Sequence, residues 1–233
     1  MFFRHVKYGV FLLLLVACNR PTERMEGYAV HGIDVSHHQS DIDWKEVKKQ
    51  DIDFIFMKAT EGENLRDGDF CDNWDALHHS DLKRGAYHFF LPTKSALAQA
   101  QNFIQLVELK NGDLPPVLDA EVSGGASREV ILNRMRSWLQ IVEMKYNVRP
   151  IIYTNLKFYY KYIAGSFDNY PVWISRYSGS TPQLNNGQWA FWQYGNRGKF
   201  PGIKGDVDFN VFRGTRQDLD ALCLHPSQIF SMK

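Results

Sequence analysis

From Tyr28 onward, short runs dense in Val, Ile, Phe and Trp alternate with stretches whose apolar residues recur every three or four positions. The runs predict eight strands, over 29–35, 54–59, 84–90, 116–121, 149–154, 171–175, 189–194 and 207–212. Five helices fit between the early strands, over 44–50, 70–81, 94–109, 127–146 and 156–163, and the later connections are too short for more. The helix after Ser127 carries the clearest stripe, with Ile131, Met135, Trp138 and Val142 on one face and Ser127 placed to cap it. Strand and helix in alternation make this an α/β chain. Eight parallel-type strands with five helices close most simply into one irregular TIM-like barrel, its active site at the C-terminal ends of the strands.

Those strand ends carry the candidate chemistry. Asp34 ends the first strand, Glu61 follows the second, Asp119 and Glu121 end the fourth, and Asp208 lies on the eighth. An unpaired aspartate is costly to bury, so its recurrence at the ends of apolar strands asks for a function. Asp119 and Glu121 stand two apart, so on a strand they share a face with roughly 6.5–7 Å between their backbones. Repulsion and partial burial are expected to raise the pKa of one while its partner stays ionised, the acid and anion that glycosidic cleavage needs. Tyr87, Tyr153, Trp173, Trp192 and Gln193 fall on neighbouring strands. Glu61 reads equally as a substrate contact or as part of the turn before Gly62.

Competing chemistries fare worse. A metal could draw on Asp34, His37, His38, Asp119 and Glu121, but adjacent histidines point apart on an extended chain and no His-Glu-x-x-His run occurs, so no metal is expected. His88 reads as a hydrogen-bonded barrel histidine, and His31, His78 and His79 as structural or solvated. There is no Gly-x-Ser-x-Gly elbow and no phosphate-cradling loop, so no cofactor is expected. The chain has 27 Lys and Arg against 26 Asp and Glu, with the basic residues scattered, which argues against nucleic acid. Hydrophobic residues at 44% and charged residues at 23% suit a folded body and exclude a multi-span membrane protein. A monomer is expected.

The first 17 residues read as an export signal. Arg4 and Lys7 precede an apolar run from Gly9 to Ala17, far short of the ~20 residues that span a bilayer. Leu15-Val16-Ala17-Cys18 resembles the bacterial lipobox, which implies cleavage before Cys18 and acylation of that cysteine. Residues 18–27 then form a tether, 28–223 the barrel and 224–233 a tail. Cleavage removes two basic residues, leaving 25 against 26 acidic, or −1. The expected location is the bacterial envelope, with the protein held on a membrane by lipid. Cys71 and Cys223 are expected to be free thiols.

Gly32-Ile33-Asp34-Val35-Ser36, Lys58-Ala59-Thr60-Glu61-Gly62, Gly85-Ala86-Tyr87-His88-Phe89, Asp119-Ala120-Glu121, Trp192-Gln193-Tyr194 and Val207-Asp208-Phe209-Asn210 follow one another in order. In these motifs the chain resembles glycoside hydrolase family 25, the Chalaropsis-type lysozymes or N-acetylmuramidases, over residues 30 to about 214. The resemblance implies a (β/α)5(β)3 barrel that cleaves the β-1,4 bond from N-acetylmuramic acid to N-acetylglucosamine in peptidoglycan. It implies Glu121 as the general acid, Asp119 as its partner, Asp34 and Asp208 as flanking acids, and Tyr87, Tyr153, Trp173, Trp192 and Gln193 as candidate sugar contacts, with ordinary barrel packing as the alternative for each aromatic. It also implies participation of the substrate's acetamido group, with direct inversion as the alternative. Two positions depart from the family pattern, Ser40-Asp41 and Ser175-Arg176-Tyr177, and both are expected to lie off the acidic centre. A non-catalytic glycan-binding lipoprotein and a chitinase-like hydrolase are the other readings.

Overall fold

Eight strands close on themselves in the computed structural model, which describes residues 24–39, 41–185 and 187–225. The expected leader, Cys18, most of the tether and most of the tail lie outside the described residues. The strands of the barrel are β1 (Val30–Val35), β2 (Phe54–Glu61), β4 (Lys83–Phe89), β5 (Val117–Asp119), β6 (Ile151–Asn155), β7 (Val172–Ser175), β8 (Phe191–Phe200) and β9 (Ile203–Phe212). A two-residue strand, β3 (Leu65–Arg66), adds antiparallel to β2 outside the ring. The order is β1-β9-β8-β7-β6-β5-β4-β2, closed by the β1–β2 pairing.

Helices occupy the first five crossovers. They are α1 (Trp44–Val47), α2 (Phe70–Ala76), α3 (Ala96–Leu106), α4 (Arg128–Tyr146) and α5 (Leu156–Phe158), the last continuing as a π turn over Tyr159–Ile163. A final helix, α6 (Arg216–Leu222), follows β9. The single α/β barrel is therefore the expected one, five β/α units followed by three strands. One expectation is corrected: the eight strands are not all parallel, because β9 runs antiparallel to both β8 and β1. The cause is local. Strand β8 extends past Tyr194 to Phe200 and turns directly into β9 at Pro201-Gly202, and a tight hairpin can only join antiparallel strands.

The helix after Ser127 forms as its stripe predicts. Ser127 Oγ accepts the Val130 amide at 3.3 Å, and Ile131, Met135, Trp138 and Val142 are fully buried against the sheet. Inside the barrel, by contrast, bulk sits opposite glycine. A Cβ on Gly85 would lie 2.5 Å from the Phe56 ring, and one on Gly32 2.5 Å from Phe54. These glycines let Phe54, Phe56, Trp173 and Phe191 stack across the interior, with Phe56 and Trp173 centroids 4.5 Å apart.

Two buried polar groups tie the outer layer. His88 faces away from the interior, where Nδ1 accepts the Thr60 hydroxyl at 2.7 Å and Nε2 donates to Gln99 Oε1 at 3.2 Å. Its ring stacks on Trp138, and burial holds its pKa down at about 4, so it is the neutral structural histidine expected. At the opposite end of the barrel Arg84 is 4% exposed and clasps Asp113, with Nε to Oδ1 at 2.8 Å and Nη2 to Oδ2 at 3.3 Å. Its Nη1 donates to Trp74 O, and its guanidinium lies 4.1 Å from the Trp74 ring centroid. Cys71 is exposed and Cys223 buried, both as free thiols. Among the described residues no helix is long and apolar enough to cross a membrane.

Candidate active site

At the C-terminal ends of the strands lies a cavity of about 350 Å³ lined by Asp34, Asp119, Glu121 and Asp208. Four carboxyls from three places on the ring meet there. Asp34 is on β1, Asp208 faces it on β9, and Asp119 is the last residue of β5. Glu121 falls just beyond that strand, not on it, yet still reaches the cavity.

Asp34 is the most tightly held. Its Oδ2 accepts Gln193 Nε2 at 2.8 Å and Asn210 Nδ2 at 2.7 Å. Both amides are themselves locked: Gln193 Oε1 accepts the hydroxyls of Tyr153 at 2.8 Å and Tyr177 at 2.7 Å, and Asn210 Oδ1 accepts Trp173 Nε1 at 2.8 Å. Glu121 takes a hydrogen bond from Asn155, whose own Oδ1 caps α5 by accepting the Phe158 amide at 2.9 Å. Asp119 differs. It is 7% exposed, and its Oδ1 is buried with no hydrogen-bond partner among the described residues.

Burial raises all four carboxyls, so the upward shift expected of one member of the Asp119 and Glu121 pair extends to both and to their neighbours. Asp119 is pushed well above its ordinary value by burial and then by Glu121, with Lys58 pulling back. Burial also raises Glu121, against the Asn155 hydrogen bond. Asp34 rises to about 6 and Asp208 to about 8, again chiefly through burial. One shared low-dielectric cavity explains this, because each charge is desolvated and each faces the others.

Of the candidate sugar contacts, Tyr87, Tyr153, Trp173 and Gln193 line the cavity. Trp173 is 2% exposed and belongs to its floor. Trp192 does not line it. Alternation along β8 turns Gln193 inward and Trp192 outward, where it is 1% exposed, packs on Tyr28 and Trp189, and donates to Arg176 O at 2.9 Å. Glu61 forms an ion pair with Lys58 at 2.7 Å, and of the two it is Lys58 that lines the cavity. Tyr177, expected off the acidic centre, is corrected: it borders the cavity and is joined to Asp34 through Gln193. His38 and Asn196 also line it. Among the described residues no group of three or more His, Cys, Asp or Glu is arranged to hold a metal ion.

A family profile described as glycosyl hydrolases family 25 matches residues 33–203. The chain is 44% identical over 199 residues to the YegX protein of Escherichia coli strain K12, covering 83% of this chain and 73% of that one. It is 36% identical over 222 residues to Lysozyme M1 of Streptomyces globisporus, covering 87% and 75%. Among solved structures, a family 25 glycosyl hydrolase from Bacillus anthracis superposes with a TM-score of 0.81 at 32% identity, over 88% of this chain and 98% of that one.

Proposed function

The chain belongs to glycosyl hydrolase family 25, and from that premise we propose that this glycoside hydrolase acts on peptidoglycan, at the β-1,4 bond from N-acetylmuramic acid to N-acetylglucosamine. Support for the substrate comes from relatives named lysozymes, those of Streptomyces globisporus and Clostridium acetobutylicum.

The observation that carries the mechanism is the unpartnered, buried Oδ1 of Asp119 beside Glu121. A substrate N–H fits that acceptor, and N-acetyl sugars carry one on the 2-acetamido group. Burial favours neutral Asp119, so its carboxylate forms by loss of that proton to solvent as the acetamido group takes its place beside it. The acetamido N–H, and the positive charge that grows on this group as its carbonyl oxygen attacks C1, both favour the carboxylate. Asp119 therefore interacts more strongly with the transition state than with the ground state. Glu121 gives its proton to the glycosidic oxygen as the C1–O bond breaks, leaving an oxazolinium ring. It then takes a proton from water, whose oxygen bonds to C1 and reopens the ring with retained configuration. Tyr87 and Tyr153 would border the sugar bound there.

Incubating the protein with purified peptidoglycan and identifying the new reducing ends by mass spectrometry tests the assignment. N-acetylmuramic acid ends are expected. N-acetylglucosamine ends, or activity confined to chitin oligomers, would replace the muramidase reading with a chitinase-like one.

The protein is further proposed to act from a bacterial envelope membrane through acylated Cys18, with residues 18–27 as the tether. Two or more acyl chains, at about 0.8 kcal/mol per buried methylene, hold a protein far more firmly than one. Cys18→Ser should move it from the membrane fraction to the soluble one or leave it unprocessed; a mature N-terminus elsewhere, without acyl mass, would refute the anchor.

A further inference from the structure

Asp34 and Asp208 are direct cross-strand partners in the antiparallel β1–β9 pair, and both side chains enter the same cavity. Like charges in that position repel. Their surroundings are unequal. Asp34 receives two amide N–H groups, from Gln193 and Asn210, and neither amide can flip to present its oxygen, because Tyr153, Tyr177 and Trp173 hold those oxygens as acceptors. A carboxyl surrounded by fixed donors is a stable anion and a poor place for a proton. Asp208 has no such cage. Across the strand pair it faces Asp34.

We propose that Asp34 and Asp208 share one proton, carried by Asp208 and donated to Asp34, so that the two carboxyls present a single negative charge to the substrate. Asp34 is the fixed anion, and Asp208 is a positioning residue that acts through it. The other groups around the pair do not replace this proton. Glu121 and Asp119 are acids too and bring no positive charge to it. Asp206, on the same strand as Asp208, is engaged by Lys199 at 2.8 Å. Lys58, on β2, is engaged by Glu61. His38, Tyr87 and Tyr177 border the cavity from three other segments. The direction of the shifts agrees, since the hydrogen bond between the two lowers Asp34 and raises Asp208.

The pair can be tested without any substrate, so its failure is separable from failure of the muramidase reading. Carboxyl-carbon NMR of the full-length chain labelled with ¹³C-aspartate, followed against pH, should show one proton retained between Asp34 and Asp208 into the neutral range. Its loss at higher pH should move both signals together. In Asp208→Asn, which keeps a donor but no titratable proton, that late step should vanish from Asp34. If both carboxyls ionise below about pH 5, as ordinary aspartates do, the pair does not exist. Persistence of the late step in Asp208→Asn would also overturn it. Where activity is assayed, Asp208→Asn should retain more kcat than Asp208→Ala, and Asp34→Asn should lose more than Asp208→Asn. The reverse order would show that Asp208 supplies charge rather than a hydrogen bond. If Asp208→Asn fails to fold, the wild-type titration alone decides.

Discussion

Glu121→Gln is expected to lose on the order of 10²–10⁴ in rate on a natural glycan, because it removes the proton donor of the proposed mechanism while keeping size and hydrogen bonding. A substrate with an activated phenolic leaving group departs with little protonation, so the same variant should lose much less in bond cleavage there. Asp119→Asn is expected to behave differently. In the proposed mechanism it accepts the acetamido N–H and balances the charge growing on that group, and a better leaving group does not substitute for that. Both substrates should therefore suffer alike. Measuring kcat for each variant on each substrate separates the roles. Equal loss on both substrates for Glu121→Gln, or near-normal rates for Asp119→Asn, would show the division to be wrong.

The largest expected effect on stability lies at the far end of the barrel. Arg84 and Asp113 are both buried, so Arg84→Met strands a carboxylate that has lost its two charge-assisted hydrogen bonds. Breaking a buried pair from one side costs about 3–5 kcal/mol. For a chain of this size that lowers Tm by roughly 10 °C. Adding Asp113→Leu should recover part of the loss, since no charge is then stranded. Recovery should be incomplete, because Asp113 Oδ2 also accepts the Lys110 amide at 2.7 Å and Arg84 also binds Trp74 O. Thermal denaturation of the single and double variants checks this; a double variant no more stable than Arg84→Met would mean that packing on Trp74, not charge, dominates.

What the sequence made legible, and what it hid, divides along physical lines. The α4 stripe and the strand-end carboxyls were readable because helical period and the cost of burying an aspartate are local signals. Trp192 was misplaced for a reason specific to barrels. Their strands are buried on both faces, so Trp192 and Gln193 look equally internal, and one step along β8 exchanges cavity for outer layer. Lys58 stood in view inside a motif, but its priority over Glu61 depends on which end of that ion pair projects past the wall. Tyr177 enters the site only because the segment after β7 folds back to place its hydroxyl on Gln193, a tertiary event without a periodic trace. Helix α6 was hidden by its shortness, although Thr215 and Asp218 form a reciprocal capping box that announces it. The sharing of a cavity by four carboxyls, and hence the upward shift of all of them, could not be read from a spacing of two residues on one strand.

Phe54, Phe56, Trp173 and Phe191 fill the barrel immediately beneath the carboxyls. With that floor in place nothing can thread the barrel, so a long glycan would present a bond to Glu121 by lying across the C-terminal face of the strands, and such a site needs no chain end to begin.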